Sequence, residues 1–472
     1  MNDFFKHIDR NVSNCIKELA EIIAIPSISR FVSHRDQTNK MINWVADRLT
    51  KLGVTVTLRD LGNQLTMDGN SISLPPVILG NLTINKNHKT VCIYGNVDVF
   101  PVVPQDKWVT NPFELTERDG KLYGRGTNAS KGPLLCWIYA IEGLLAVYKT
   151  LPVNLKFIID VMEDCLSDGL EKLIREEKDN FFNDVDYIAV SSGNWLGRER
   201  PCIIYGLRGF CHYALEIKST IRELHSGIFG GIVHDSISDL IYMLNTLIDG
   251  DGTILIPDIN KNVDPLTEEE DTLYAKIDFD IFEFRNIIGS TKLTHNEDQT
   301  TILQHLWRFP CLSIHGIEGS YCNSGDKSLI PSKVIGKFSI RIVPNQNKHE
   351  VSKTVNSYLR KKWLERNSPN KMKVTLTSAY SPYINDPSDP HFIAAHKAIE
   401  QVYNVTPEYV RDGSSIAVVP ILKNVLKKNV IILPICSIDC GARSQNEKIY
   451  IRNLTDGAKF LGTYLHEVSL LS

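Results

Sequence analysis

Polar residues follow three short apolar runs in the first 200 residues, and they are the first candidates for chemistry. They are, in chain order, Asn96 and Asp98 after residues 90–94, Glu163 and Asp164 after residues 155–161, and Ser191 and Ser192 after residues 187–190. Carboxylates in such places can exchange protons or bind cations. Taken alone, the pair Glu163 and Asp164 would usually be a solvated acidic pair, because charged residues rarely stay buried. Its place directly after an apolar run favours a functional role.

The three apolar runs predict the elements that position these residues. They are too short for helices and rich in β-branched residues, which is typical of buried strands. A helix is expected over residues 39–52, and the apolar segment 133–148 predicts a helix packed on a sheet. Strand, helix and strand in this order favour an α/β fold with a doubly wound, mainly parallel sheet. Ligands of such sheets bind beyond the carboxyl ends of the strands, where these polar residues would lie.

The pattern changes from about Gly206. Strand-like residues 211–217, an amphipathic segment 235–247, a long polar stretch 249–303 and strand-like residues 334–343 predict an inserted α+β domain. A helix from near Pro390, a strand over 430–433 and a last helix from Asn453 would return to the first domain.

Composition narrows the class of protein. The net charge of -3 over 472 residues gives no basic surface for nucleic acid. We find no secretory signal and no run of 18 apolar residues, so no membrane association is expected. Ten cysteines without C-x-x-C pairs suit reduced, buried thiols, and a cytoplasmic location is expected.

Nine segments carry a resemblance to a known family. They are YGNVDVFP (94–101), KLYGRGTNASKGP (121–133), VMEDCLSDGL (161–170), DYIAVSSGNWLG (186–197), YGLRG (205–209), ELHSGIFGG (223–231), HGIEG (315–319), KFSIRIVPN (337–345) and GARSQNEK (441–448). In order and spacing the chain resembles the cytosolic non-specific dipeptidase and carnosine dipeptidase family of aminoacylase-like di-zinc metallopeptidases. The resemblance implies a catalytic domain over 1–205 and 390–472, a lid and dimerisation domain over 206–389, and a homodimer.

The resemblance also implies a metal centre, and here the motifs are degenerate. In such enzymes two zinc or manganese ions per subunit share a bridging carboxylate, and a glutamate activates the metal-held water. The five ligand positions fall on Asn96, Ala129, Asp164, Ser192 and Arg443. Alanine has no donor atom, arginine has no free lone pair, and an asparagine amide is a poor zinc ligand. Asp164 alone remains a competent ligand, so no bound metal cofactor is expected.

At two other catalytic positions the sequence keeps the residue type that the resemblance implies. Glu163 stands at the general-base position, and Asp98 stands where a carboxylate would orient a histidine ligand. Three carboxylates without metals would repel one another, so we predict that Arg443 pairs with Glu163 or Asp164. The simplest alternative is that Arg443 is an ordinary loop arginine.

The resemblance assigns substrate contacts to four further residues. Arg341 would hold the substrate carboxylate, assisted by Ser415 and Ser328, and His225 would reach across the dimer. A histidine of this binding set is replaced by Ser378. Without the family, His225 would be a structural hydrogen-bonding residue and Arg341 a surface strand residue.

Three hypotheses about function follow. The first is an inactive or severely impaired homologue that still binds dipeptides or a partner, either as a homodimer or beside an active paralogue that receives His225. The second is residual metal-dependent dipeptidase activity that uses Glu163. The third is an interaction role with no ligand in the cleft. A thiolate metal site at Cys165 and Cys440 is a further alternative, although buried inert thiols are commoner.

Overall fold

The computed structural model describes residues 1–65 and 69–471. The helices are α1 (Asn2–Ile23), α2 (Arg35–Lys51), α3 (Lys131–Tyr148), α4 (Leu170–Glu176), α5 (Ser226–Phe229), α6 (Ser236–Asn245), α7 (Glu268–Lys276), α8 (Ile281–Ile288), α9 (Gln299–Trp307), α10 (Lys348–Arg366), α11 (Pro390–Tyr403), α12 (Val418–Leu426) and α13 (Ile451–Ser469). The strands are β1 (Thr55–Arg59), β2 (Asn63–Leu65), β3 (Ser71–Ser73), β4 (Val77–Leu82), β5 (Thr90–Asn96), β6 (Thr116–Arg118), β7 (Lys121–Tyr123), β8 (Asn154–Asp160), β9 (Tyr187–Val190), β10 (Asn194–Trp195), β11 (Cys202–Leu207), β12 (Gly209–Lys218), β13 (Leu224–His225), β14 (Cys311–Glu318), β15 (Leu329–Ile330), β16 (Lys333–Ile342), β17 (Lys371–Tyr380), β18 (Tyr383–Ile384), β19 (Glu408–Asp412), β20 (Val430–Ile432), β21 (Cys436–Ser437) and β22 (Lys448–Tyr450).

A mixed sheet forms the centre of the larger domain. Its strands run in the order β1, β4, β8, β5, β9, β20, β11 and β18, and β19 also pairs with β11. Strands β8, β5, β9 and β20 are parallel to one another, whereas β4 pairs antiparallel with β1 and β8, and β11 pairs antiparallel with β20 and β18. The predicted α/β fold is confirmed, with antiparallel strands added at the edges of the parallel centre.

Helices cover both faces of this sheet, as a doubly wound fold requires. Side chains of α1, α2, α3, α11 and α13 form one apolar cluster, and side chains of α4 and α12 belong to a second. The apolar segment predicted as a helix is α3, whose first thirteen positions are nearly all buried. Burial on all sides explains why its sequence shows no polar face.

A four-stranded antiparallel sheet in the order β14, β16, β12 and β17 forms the second domain. Helices α6 and α10 pack on one face of this lid sheet. The other face is tied to the larger domain, because the Tyr380 hydroxyl donates to the carbonyl of Leu166 at 2.8 Å. This face is therefore turned towards the loops of the first sheet, and we call the space between them the cleft.

The polar stretch 249–303 contains three helices that pack away from the lid sheet. Tyr274 of α7 and Trp307 of α9 belong to the second apolar cluster of the larger domain. Glu270 of α7 bridges Arg308 at 3.0 Å and Arg411 at 2.6 Å. Charged and polar residues separate the apolar ones in this stretch, so its pattern does not indicate which domain the helices join.

Two further features bear on the class of protein. Within the described residues, no helix is both long and apolar enough to span a bilayer. All ten cysteines are free thiols.

Candidate functional site

The site begins where two neighbouring parallel strands end. Asn96 closes β5 opposite Asp160, which closes β8. Asp98 follows the first strand, and a single helical turn over Glu163–Cys165 follows the second. Asn96, Asp98, Glu163 and Asp164 are all buried. The predicted meeting of these polar residues at one sheet edge is confirmed.

Both carboxylate oxygens of Asp98 accept hydrogen bonds from other groups of the protein. Its Oδ1 accepts from Asn96 Nδ2 at 3.1 Å. Its Oδ2 accepts from the Ser29 hydroxyl at 2.7 Å and from the backbone N–H of Asp164 at 2.9 Å. The Asn96 amide therefore directs an N–H group, not a lone pair, at its neighbour.

Arg443 lies against the two carboxylates that follow β8. Its Nη2 donates to Glu163 Oε2 and lies 3.3 Å from Asp164 Oδ1. Its guanidinium also lies 5.5 Å from the centre of the Phe100 ring. The pairing predicted from the sequence is confirmed.

Burial and charge oppose each other at this ion pair. Burial raises the pKa of both Glu163 and Asp164, and the nearby Asp98 raises them further. The positive charge of Arg443 counteracts this by lowering both pKa values. Arg443 thus stabilises negative charge that the site would otherwise resist.

The loop that carries Ala129 is held from behind by Glu447, which is completely buried. The Glu447 carboxylate accepts from the backbone N–H groups of Asn128 at 3.1 Å and Ala129 at 2.9 Å. It also pairs with Arg125 Nη1 at 3.0 Å. The loop is therefore rigidly placed although it presents only a methyl group.

The structure brings together the five positions that the family resemblance assigns to metal ligands. One small cavity is lined by Asn96, Ala129, Asp164 and Arg443. An adjoining cavity of about 360 Å³ is lined by Ala129, Arg443 and Ser192 and extends to Ser415.

The donor set does not fit a two-metal centre. Within residues 1–65 and 69–471, no group of three His, Cys, Asp or Glu side chains is arranged to hold a metal ion. Asp164 is the one competent ligand among the five positions, and it faces a guanidinium. Cys165 and Cys440 do not change this, because neither takes part in such a group.

The lid contributes a cationic group on the other side of the cleft. Arg341 Nη1 donates to the Ser415 hydroxyl at 3.0 Å, and this hydroxyl donates in turn to the carbonyl of Arg208. Burial lowers the pKa of Arg341, and the nearby Arg208 lowers it further. Arg341 and Ser415 are thus placed together, as the resemblance implies.

His225 and Ser328 lie elsewhere and are exposed, His225 at the end of β13 and Ser328 directly before β15. The carbonyl of Ser328 accepts from the backbone N–H of Ser226 at 3.1 Å. His225 Nδ1 accepts from the N–H of Gly227 at 3.0 Å. Among the described residues, no hydrogen bond links either side chain to Arg341 or Ser415. Within one chain Ser328 therefore lies beside Ser226 and His225, and the substrate contacts of Ser328 and His225 stay predictions.

Sequence reasoning missed the residues that support the site. Glu447 and Arg125 stand inside two of the quoted motifs, but nothing local marked them as a pair across more than 300 residues. Phe100, beside Arg443, was also inside a motif. Its aromatic type was the one available signal.

Comparison with known proteins agrees with this architecture. Residues 92–467 match the sequence pattern of peptidase family M20/M25/M40. The chain is 42% identical over 472 residues to the human Beta-Ala-His dipeptidase, covering 99% of this chain and 92% of that protein. It is 39% identical over 473 residues to the Cys-Gly metallodipeptidase dug1 of Schizosaccharomyces pombe, covering 100% of this chain and 99% of that protein.

A solved structure shares the whole fold. The crystal structure of human carnosine dipeptidase 1 superposes with a TM-score of 0.92 at 41% identity, covering 100% of both chains. The sheet, the lid and the cleft described above are therefore those of a known architecture, and the family match spans most of the chain. This protein belongs to peptidase family M20/M25/M40.

Proposed function

We propose that this chain binds small peptides in its cleft without hydrolysing them, as an inactive or severely impaired dipeptidase homologue. The observation that carries the proposal is the contact of Arg443 with Glu163 and Asp164. The Arg443 guanidinium is paired with the two carboxylates that a metal-dependent hydrolase would use to bind metal and to activate water.

The chemistry of the general base supports this. Glu163 could take a proton from water only if that water were acidified, because ordinary water has a pKa near 15.7 and metal-bound water about 7. The five ligand positions offer one carboxylate, and removing even a supporting group typically costs about 10 to 100-fold in metal affinity or activity.

Metal content and turnover test the proposal. The purified protein is expected to hold no stoichiometric zinc or manganese and to leave Cys-Gly and β-Ala-His uncleaved. A matched variant restores the family's donors through Asn96→His, Ala129→Asp, Ser192→Asp and Arg443→His, and we expect it to gain bound metal. Stoichiometric metal together with peptide cleavage in the unaltered protein would overturn the proposal.

Residual metal-dependent dipeptidase activity is the alternative. It is favoured by the survival of Glu163 and by Asp164 Oδ1, which is buried and accepts no hydrogen bond of good geometry. The same measurement decides it, since weak turnover that a chelator abolishes and the Glu163→Gln change removes would support this alternative.

We further propose that the chain dimerises through the surface around β13 and β15, with itself or with an active paralogue. Three isoleucines there are exposed, Ile221 by 98%, Ile228 by 69% and Ile232 by 77%. Exposed apolar groups of this kind mark interaction sites when they cluster. His225 lies among them, so it could reach a partner's cleft.

Sedimentation of variants tests the dimer. Ile228→Asp is expected to yield monomers, whereas Val109→Asp, at an apolar position 74% exposed on the larger domain, should leave the assembly unchanged. Co-expression with an active relative tests the mixed dimer, and there His225→Ala should lower the partner's turnover. The free thiols support a cytoplasmic location as part of the same proposal.

A further inference from the structure

The lid sheet presents a row of polar and aromatic side chains to the cleft. Alternate residues of adjacent strands share this face, and they are Phe210 and His212 of β12, Ser339 and Arg341 of β16, and Ser378 and Tyr380 of β17. His212 pairs in register with both Ser339 and Ser378. Ser378 stands where the family resemblance places a histidine. His212, on the neighbouring strand, provides an imidazole beside that position.

Aromatic neighbours hold the His212 ring in place. The ring lies edge-on to Phe210 at 4.6 Å between centroids and parallel to His315 at 5.7 Å. His315 is itself engaged by the Ser339 hydroxyl at 2.8 Å. In the part of the chain that the structure describes, neither ring nitrogen of His212 has a hydrogen-bond partner. His212 is therefore oriented but free to donate.

Arg30 contributes a second free cation from the larger domain. Its guanidinium lies 4.8 Å from the centre of the Phe100 ring, the same ring that Arg443 contacts. Arg30 thus stands at the wall of the site. Among residues 1–65 and 69–471, neither Arg30 nor Arg341 forms an ion pair with a carboxylate.

The Arg341 guanidinium lies 5.5 Å from the centre of the Phe210 ring, which also contacts His212, so these groups are close enough to repel one another. Burial lowers the pKa of His212, and Arg341, His315 and Arg30 each lower it further by their charge. Strand β17 adds no charge at this place, because it presents Ser378 and Tyr380. Positive groups that crowd together without counter-ions are the arrangement that an anionic ligand relieves.

We propose that Arg30, His212 and Arg341 form a subsite for a ligand that carries two carboxylates at one end, such as a dipeptide ending in glutamate. This inference rests on the proposed binding of small peptides in the cleft. Arg341 holds the main-chain carboxylate, and His212 with Arg30 holds the second one. Because Arg30 belongs to the larger domain and His212 to the lid, such a ligand bridges the two domains.

Calorimetric titration of the full-length protein tests the subsite with three probes, Ala-Glu, its neutral counterpart Ala-Gln, and glutarate. We expect Ala-Glu to bind about tenfold more tightly than Ala-Gln at about pH 5, a pH below the usual histidine range, because the pKa of His212 is lowered. The preference should shrink at about pH 8, because His212 is then neutral and loses its charge-assisted hydrogen bond. Glutarate that binds as tightly as Ala-Glu would support the subsite and identify a free dicarboxylate as its ligand.

Two variants assign the effect to residues. His212→Phe keeps the ring stacking and Arg30→Gln keeps a polar side chain, and each should reduce the preference for Ala-Glu at least about threefold while Ala-Gln binds as before. His349→Gln, at an exposed position of α10, is the matched control and should change neither affinity.

The outcomes separate this inference from the function on which it rests. Equal affinities for Ala-Glu and Ala-Gln, or a preference that survives in both variants, overturn the subsite alone. Failure of all three probes to bind overturns both the subsite and peptide binding. Hydrolysis of the peptides with the acidic preference retained overturns the non-hydrolytic proposal and supports the subsite.

Discussion

The two sides of the cleft differ in which functional groups they retain. On the side of the larger domain, the five ligand positions hold one competent metal ligand and an arginine bound to two carboxylates. On the lid side, Arg341 remains and donates across the cleft to Ser415, which lines the larger of the two cavities. A metal centre needs a lone pair at every position, whereas a carboxylate can be held by any well-placed guanidinium. Binding and catalysis can therefore be lost separately.

The contacts that hold the Ala129 loop in place are intact, although the side chain that the loop presents has lost its donor atom. Glu447 holds the Ala129 loop through backbone N–H groups that do not depend on the side chain at position 129. The loop geometry is thus maintained by the protein itself. Three predictions test whether each side behaves as this comparison requires, and a fourth concerns a buried histidine outside the cleft.

The largest effect is expected from Glu447→Ala. It would leave Arg125, 2% exposed, buried without its carboxylate and two backbone N–H groups unsatisfied. Loss of one partner of a buried ion pair typically costs about 3–5 kcal/mol. The loss is measured as the change in the free energy of unfolding in urea. The control Glu199→Ala breaks the exposed pair with Arg452 and should cost about 0.5 kcal/mol or less. Equal losses in the two variants would show that the Ala129 loop needs no support from behind.

Arg443→Met should destabilise the protein by about 2–3 kcal/mol, less than a fully buried pair because the Arg443 side chain is 38% exposed. Glu163 and Asp164 would then be buried without a counter-ion. Adding Glu163→Gln and Asp164→Asn removes the unpaired charges and should restore most of the loss. If the Arg443→Met variant is as stable as the parent protein in thermal unfolding, Arg443 does not compensate the negative charge of Glu163 and Asp164.

Arg341→Gln should weaken the binding of Ala-Gln about tenfold or more, because a charge-assisted pair with the peptide carboxylate is lost. Unfolding free energy should change little, since Arg341 has no carboxylate partner in the described structure. Arg222→Gln, at an exposed position, is the control in the same calorimetric titration. Unchanged affinity would remove the lid side from the binding proposal.

The effect that is smallest at neutral pH concerns acid sensitivity outside the cleft. His391 is fully buried against the Tyr187 ring, and burial lowers its pKa to about 4. An unfolded histidine titrates near 6.5, so between these values the unfolded state binds more protons. The contribution of His391 is therefore complete above about pH 6.5, and stability falls as the pH drops towards about 4.

His391→Phe should remove up to about 1.4 kcal/mol per pH unit from this slope, measured by urea unfolding across that range. His349→Gln should leave the slope unchanged. A slope that is unaffected by His391→Phe would assign the acid sensitivity to other groups, the carboxylates of the cleft among them.

Much of this protein could be predicted from its sequence. Apolar periodicity predicted the parallel strands of the central sheet and α3, because buried strands and helices leave local patterns. The ligand positions lay inside recognisable motifs, so their altered chemistry was readable residue by residue. The pairing of Arg443 followed from its place at a ligand position of the family together with charge, since three carboxylates at one sheet edge need a counter-ion.

Other features needed the tertiary structure. The packing of α7 and α9 on the larger domain, the place of Ser328 beside His225, and the support from Glu447 all depend on contacts between residues far apart in the chain. Arg30 and His212 had no local signal, because each stands in an ordinary segment and gains meaning only when the two domains face each other. Sequence patterns record what a residue's own element requires, whereas a cleft is defined by which elements meet.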